Sequence, residues 1–479
     1  MKREALTTLN MARRDWLATG GGLAAAAITG MFPELQLRGE IEQPPQWRLP
    51  PRAKRVIYLY QAGAPSQLDL FDYKPETLKR HNEELPPSVR GAQRLTAFTK
   101  DQPRLPIAAS PFRFSRHGRA GIWLSELLTH HREIADLICV VHSVHTEAIN
   151  HVNGASLAMT GSERAGRPSM GAWVDYGLGR LTEELPAFVV LSSCGSAWHG
   201  GEAIQARYWA NGFLPAEHQG VKFRSSGSPV LFLDDPPGVS RTDRRRWLNA
   251  VQQLNQVELS ARGDQATRAR MEQFETAFQM QAAAPEAFDM STETTETMRL
   301  YGEPASQPGT FAANCLLARR LAERGVRFIQ LFHRGWDHHS NINQSHPLQA
   351  RDIDQPVAAL VLDLKRRGLL DETLVVFGSE FGRTVFCQGE LSQPDYGRDH
   401  HPRCFTVWLA GGGIRGGFQY GRTDDFSYNV VADPVHVHDL NATILHCLGL
   451  DHERLTARHN GRDMRLTDVG GRVVRELLR

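Results

Sequence analysis

Seven short apolar runs constrain this chain more than any other feature of it. They read RVIYLY (55–60), LICVV (137–141), FVVLS (188–192), VLFLD (230–234), VRFIQLF (326–332), TLVVFG (373–378) and FTVWLAG (405–411). Each is β-rich and bounded by polar sequence, the pattern of a strand buried on both faces. Helical patterns fall between several of them. Residues 311–324 end in Arg319, Arg320 and Arg324, with Gly325 as a C-terminal stop. Val357, Leu360, Val361 and Leu364 recur at helical spacing and lead into Lys365, Arg366, Arg367 and Gly368. Helix and strand in alternation predict an α/β fold, with a mostly parallel central sheet covered on both faces. Residues 240–300 hold no strand-like run and are rich in Gln, Glu and Arg. They read as a helical insertion: a solvated hairpin, a lid or a dimer arm.

The start of the chain reads as a targeting segment. Residues 11–33, MARRDWLATGGGLAAAAITGMFP, place Arg13 and Arg14 before a weakly apolar Gly/Ala stretch. That order predicts a twin-arginine signal over 1–33, and export to the periplasm or beyond. A Pro-rich linker over 34–51 then precedes one domain over 52–479. Lys and Arg number 55 against 53 Asp and Glu, so bulk charge excludes a nucleic-acid partner. Loss of the leader takes Lys2, Arg3, Arg13 and Arg14 against Glu4 and Asp15, leaving 51 charges of each sign. No apolar run reaches the roughly 18 residues of a membrane anchor, so no stable span is expected after signal removal. The six cysteines show no CxxC spacing. Cys139 reads as a buried thiol, and a Cys387–Cys404 bridge stays open.

Function is expected where the strands end. In an open α/β sheet, ligands bind beyond the carboxyl ends of the strands. Four runs exit into QAGAPSQLDLFD, HSVHTEAINHVNG, HRGWDHHSN and SEFGRT, all rich in Asp, Glu, His, Ser or Asn. Eleven of the 20 histidines lie between His333 and His459. Asp337, His338 and His339 offer mixed O and N donors that suit Zn or Mn better than Ca. Three adjacent residues cannot all face one ion, so one or two of them are expected to bind. Glu380, beside Gly382 and Arg383, can reach an ion across the strand tips, and Arg383 can bind an anionic ester. His400 and His401 form a third donor group, next to Asp399. His436 and His438 are expected to be structural. Asn150, His151 and Asn153 precede a short helix whose N-terminus favours an anion, with His151 as acid, base or ligand.

The stretches AGAPSQLDLFD, TGSERAGRPSMGAWVDYGLG, GWDHHSN, GSEFGRT, GRDHHP and DPVHVHDLNATILHCLGLDHERLT together resemble the DUF1501 family. That family is a sulfatase-like branch of the alkaline-phosphatase-like superfamily. The resemblance covers about residue 52 to the C-terminus. It implies an α/β/α sandwich, and metal ligands at Asp337 with His338 or His339, Glu380, and His400 or His401. It also implies hydrolysis of a phosphate or sulfate ester, with a sulfated or phosphorylated saccharide as one such substrate. Sulfatases make formylglycine from a C/S-x-P-x-R run. Here His151 stands at that place, and no Cys-x-Pro-x-Arg occurs, so that mechanism is excluded. Gln61 stands where the superfamily has a metal-binding Asp, and Gln67 where the wider family has His. The nucleophile stays open among Ser66, a metal-bound hydroxide and His151. The expected function is an exported, metal-dependent ester hydrolase. The alternative is a non-catalytic envelope protein using a degenerate site for binding.

Overall fold

The computed structural model describes residues 45–198, 200, 204–224, 230, 235, 238–263 and 265–479. The strands of the main sheet and of the hairpin beside it are β1 (Arg55–Ala62), β2 (Ile138–His145), β3 (Phe188–Cys194), β4 (Val221–Lys222), β5 (Phe328–Arg334), β6 (Thr373–Gly378), β7 (Gly382–Gln388), β8 (Gly397–His401), β9 (Phe405–Ala410), β10 (Phe418–Tyr420) and β11 (Val435–His436). Nine of them form one sheet in the order β10–β2–β9–β6–β1–β5–β3–β4, with β11 also paired to β2. Every pairing is parallel except those of β9, which runs against both β2 and β6. The first strand therefore lies in the middle, with all eight residues buried.

Alternation along the strands feeds two cores, one on each face. Ile57, Leu59, Val189, Leu191, Ile329, Leu331, Val375 and Phe377 meet helices α5 (Phe311–Glu323) and α6 (Ile342–Arg366) on one side. Val56, Tyr58, Val190, Phe328, Leu374 and Val376 meet α1 (His151–Thr160), α2 (Met170–Leu178) and α7 (Val437–Cys447) on the other. Helix–sheet–helix layering is thus the architecture. Between β4 and β5 stand α3 (Arg241–Arg262) and α4 (Gln265–Phe288).

Some local expectations change. The helix expected from Val357 begins at Ile342 and runs through Pro347 and Pro356. The run at 230–234 lies outside the described residues, apart from Val230. Cys387 and Cys404 are not bridged, and all six cysteines are free thiols. The segment from Gly382 to His401 forms an antiparallel hairpin, β7–β8, set apart from the main sheet.

Candidate metal centre

Four segments meet at the carboxyl ends of β1, β2, β5 and β6. Beyond β2 the chain turns into α1, whose first residue is His151. Asn150 caps that helix, its side chain accepting from the Val152 N–H at 3.0 Å. Beyond β5 come Asp337 and His339, and beyond β6 comes Glu380. The β7–β8 hairpin then returns His400 to the same place. Donor atoms of His151, Asp337, His339 and His400 all lie within 4.8 Å of one another.

The three imidazoles are oriented alike. Each has its Nδ1 tied to an acceptor that faces away from the cluster. His151 Nδ1 donates to Glu380 Oε1 at 2.7 Å, His339 Nδ1 to Gln388 Oε1 at 2.6 Å, and His400 Nδ1 to the Ile149 carbonyl at 2.8 Å. All three Nε2 atoms consequently point inward. They lie 3.0, 2.9 and 3.4 Å from Asp337 Oδ1 for His151, His339 and His400 respectively. His151 Nε2 is buried and out of line for a hydrogen bond. The Nε2 atoms of His339 and His400 are 3.0 Å apart, a spacing that calls for a proton or cation between their lone pairs. Acceptors that fix the outer nitrogen and aim the inner one are the usual support of metal-binding histidines. The donor set, three imidazole nitrogens and one carboxylate, fits Zn or Mn.

Charge follows the geometry. Burial would raise the Asp337 carboxyl, but Arg383 and the three imidazoles hold it far below the ordinary range. Burial would lower His151, yet Asp337 and Glu380 raise it to about 9. For His400 burial prevails and lowers it to about 4. Glu380 is buried; the desolvation cost is outweighed by His151, the Ser379 hydroxyl and the Gly63 N–H, which hold it low. Close backbone approach supports the cluster. A Cβ on Gly154 would lie 3.0 Å from Glu380 Cβ, and one on Gly397 would lie 2.1 Å from the His339 carbonyl carbon.

Several expected residues stand elsewhere. Glu380 is outside the four and acts on His151 instead. His338 turns away: His346 accepts from the Ser66 N–H through Nε2, so its Nδ1–H faces His338 Nδ1 at 2.7 Å. His401 is buried against the Tyr428 carbonyl at 2.7 Å and Gln93 at 3.2 Å. Ser66 is fully buried, and its hydroxyl donates to Asp69 at 2.5 Å; Asp69 in turn pairs with buried Arg398. Arg383 is 1% exposed. It bonds Asp337 at 2.6 Å and the carbonyls of Gly63, Ala64 and Arg398, so it braces the site and leaves no face for an ester. Asn153 is engaged with Glu163 at 3.1 Å, and exposed Asn150 gives its side-chain oxygen to the cap. Gln61 accepts from Trp336 Nε1, and Gln67 clasps the Arg383 backbone through both ends of its amide.

Other residues at the site carried no signal in the sequence reading. Gln388 orients His339. Phe98 packs against the His339 ring, tilted by 37° with ring centroids 4.2 Å apart, although it is 57% exposed. Its loop is pinned by Thr96 and Thr99, whose hydroxyls both donate to Asp399 at 2.5 Å. Beside His339 opens a cavity of about 620 Å³, lined among others by Phe98, Gln388, Glu390, Asp395 and Tyr396.

The chain belongs to the family described as "Protein of unknown function (DUF1501)", whose profile matches residues 53–478. No curated protein matches it. Among solved structures it is similar to a protein in the alkaline phosphatase superfamily from Vibrio parahaemolyticus, with 11% identity over 87% of this chain and 74% of that one and a TM-score of 0.36. The phosphonate monoester hydrolase SpPMH from Silicibacter pomeroyi is 13% identical over 73% and 71%, with a TM-score of 0.35. The PsFucS1 sulfatase from Pseudoalteromonas sp. is 12% identical over 84% and 69%, with a TM-score of 0.34.

Proposed function

We propose that this DUF1501 chain is an exported, metal-dependent hydrolase of phosphate or sulfate esters that works without formylglycine. One observation carries the reading: three imidazoles with outward nitrogens tethered, and Nε2 atoms converging on one carboxylate oxygen. His151, Asp337, His339 and His400 would hold a divalent ion, which supplies positive charge where the ester develops negative charge. The chain's own residues do the rest. Glu380 selects the His151 tautomer. Gln388 and the Ile149 carbonyl do the same for His339 and His400. Arg383 fixes the Asp337 carboxylate and offsets its charge. The cavity beside His339 is the natural place for the leaving group. Its lining holds three carboxylates (Asp101, Glu390 and Asp395), three glutamines and the rings of Phe98 and Tyr396, with no lysine or arginine. Such a lining suits an uncharged polyhydroxyl group and repels a second anion, which supports a phosphate or sulfate ester of an otherwise uncharged saccharide. Arg13 and Arg14 before the Gly/Ala stretch, outside the described residues, support the export part of this reading.

A second reading, a non-catalytic binding protein, is favoured by one observation: the Ser66 hydroxyl is held by Asp69 and does not join the cluster. Purification without chelators, elemental analysis and anomalous scattering separate the two. Retained metal together with turnover of an aryl phosphate or sulfate, abolished by Asp337→Ala, supports the enzyme. Retained metal without turnover supports the binding protein. Protein that holds no metal and hydrolyses neither ester across Zn, Mn and Ca removes the enzyme reading.

A further inference from the structure

Helix α3 carries two opposite faces with the same spacing. Arg245, Leu248, Gln252, Asn255 and Leu259 form one, spaced 3 and 4 residues apart. This face is turned to α4: Arg245 and Gln252 bond Glu275, Arg245 lies over the Phe278 ring, and Asn255 is buried. The other face is Trp247, Ala250, Leu254, Val257 and Ala261, again spaced 3, 4, 3 and 4. That is the seam pattern of paired helices. A solvated helix puts polar residues outward. Here Trp247 is 58% exposed, Leu254 57% and Val257 70%.

We propose that this seam is a homodimer interface, in which α3 packs antiparallel against α3 of a second copy about a two-fold axis through Leu254. The occupant is indicated by the volumes along the seam. Reversing the helix about Leu254 sets Trp247 opposite Ala261 of the second copy and Val257 one residue from its Ala250, while Leu254 meets its own equivalent. Away from the axis, Trp247 and Val257 thus each come against an alanine, and only Leu254 meets a side chain of its own size. Parallel pairing would instead set Trp247 on Trp247 and leave the alanines facing each other. A face complementary to itself under two-fold rotation is what an isologous dimer requires. The helix has 22 residues and is about 33 Å long, so pairing along it buries on the order of 1,000 Å² in total, the lower bound for a specific interface. Nothing in this proposal depends on the hydrolase reading.

Light scattering on the full chain after size exclusion tests it. The expected mass is twice 53.6 kDa. Leu254→Glu places two like charges on the axis and should raise the dimer dissociation constant at least about 100-fold, with the circular dichroism spectrum and melting temperature retained. In a Cys194→Ser background, Leu254→Cys should cross-link to a covalent dimer on oxidation, because only a residue on the axis meets itself. Gln256→Cys, on the flank, should not. A monomeric full chain overturns the proposal. So does a dimer that survives Leu254→Glu, or one that cross-links through Gln256→Cys and not through Leu254→Cys.

Discussion

The charge on His151 links the candidate site to stability in a measurable way. In the metal-free protein, Asp337 and Glu380 overcome burial and lift this imidazole from its ordinary 6.5 to about 9. The native state then holds the proton more tightly than the unfolded chain. The resulting stability is fully present below pH 6.5, declines as pH rises, and is gone above about 9. The difference between the two values corresponds to on the order of 3 kcal/mol. His400 has the opposite sign. Burial lowers it to about 4, so its contribution is present above 6.5 and lost as pH falls towards 4. Five buried thiols, Cys139, Cys315, Cys387, Cys404 and Cys447, are pushed up by burial and also weaken the fold towards pH 9, so the difference between wild type and a His151 variant, rather than the window alone, isolates His151. Urea unfolding in chelator at steps across that window, for the wild type and His151→Gln, reads the effect. The wild type should lose about 3 kcal/mol more than the variant between the two ends. Added Zn or Mn competes with the proton, so metal affinity should rise towards pH 9. Parallel profiles for the two proteins would refute the placement of His151 between the two carboxylates.

Three further outcomes follow from the geometry. Asp337→Ala should abolish metal retention measured by elemental analysis, and any ester turnover, while the circular dichroism spectrum is kept. Arg398→Met strands the fully buried Asp69 carboxylate and should cost about 3–5 kcal/mol in chemical denaturation, most of it recovered by Asp69→Asn in the double variant. Gly397→Ala forces a Cβ against the His339 backbone, so it should weaken Zn or Mn binding at least about tenfold by calorimetry.

The strands were legible because burial on both faces leaves an uninterrupted apolar run, and their exits stand out as abrupt polarity. That was enough to select the regions of His151, Asp337, Glu380 and His400. Which of two adjacent histidines faces the centre was not legible. Asp337 and His339 face inward while His338 turns to His346, a matter of backbone turn rather than of residue type. The same holds for His400 and His401, set by alternation in a hairpin that a short mixed-polarity segment does not announce. Glu380 shows how a partner can change a role. The Gly63 N–H and Ser379 hold its carboxylate behind His151. Phe98 and Gln388 reach the site through contacts far apart in sequence, and no local pattern marks such residues.

The position of β1 has a consequence for how the chain is made. It is the first strand of the sheet to be synthesised, and it lies at the sheet's centre, between β5 and β6. Its hydrogen-bonding partners are Val56 to Ala62 with Phe328 to Arg334 on one edge, and Arg55 to Tyr60 with Thr373 to Gly378 on the other. At roughly 5–20 residues per second, the ribosome needs on the order of tens of seconds to deliver either partner. Through that interval the segment destined for the deepest burial has neither edge paired. The nascent chain thus carries the apolar run at 55–62 with both edges unpaired for most of its synthesis, an arrangement that invites pairing with another chain.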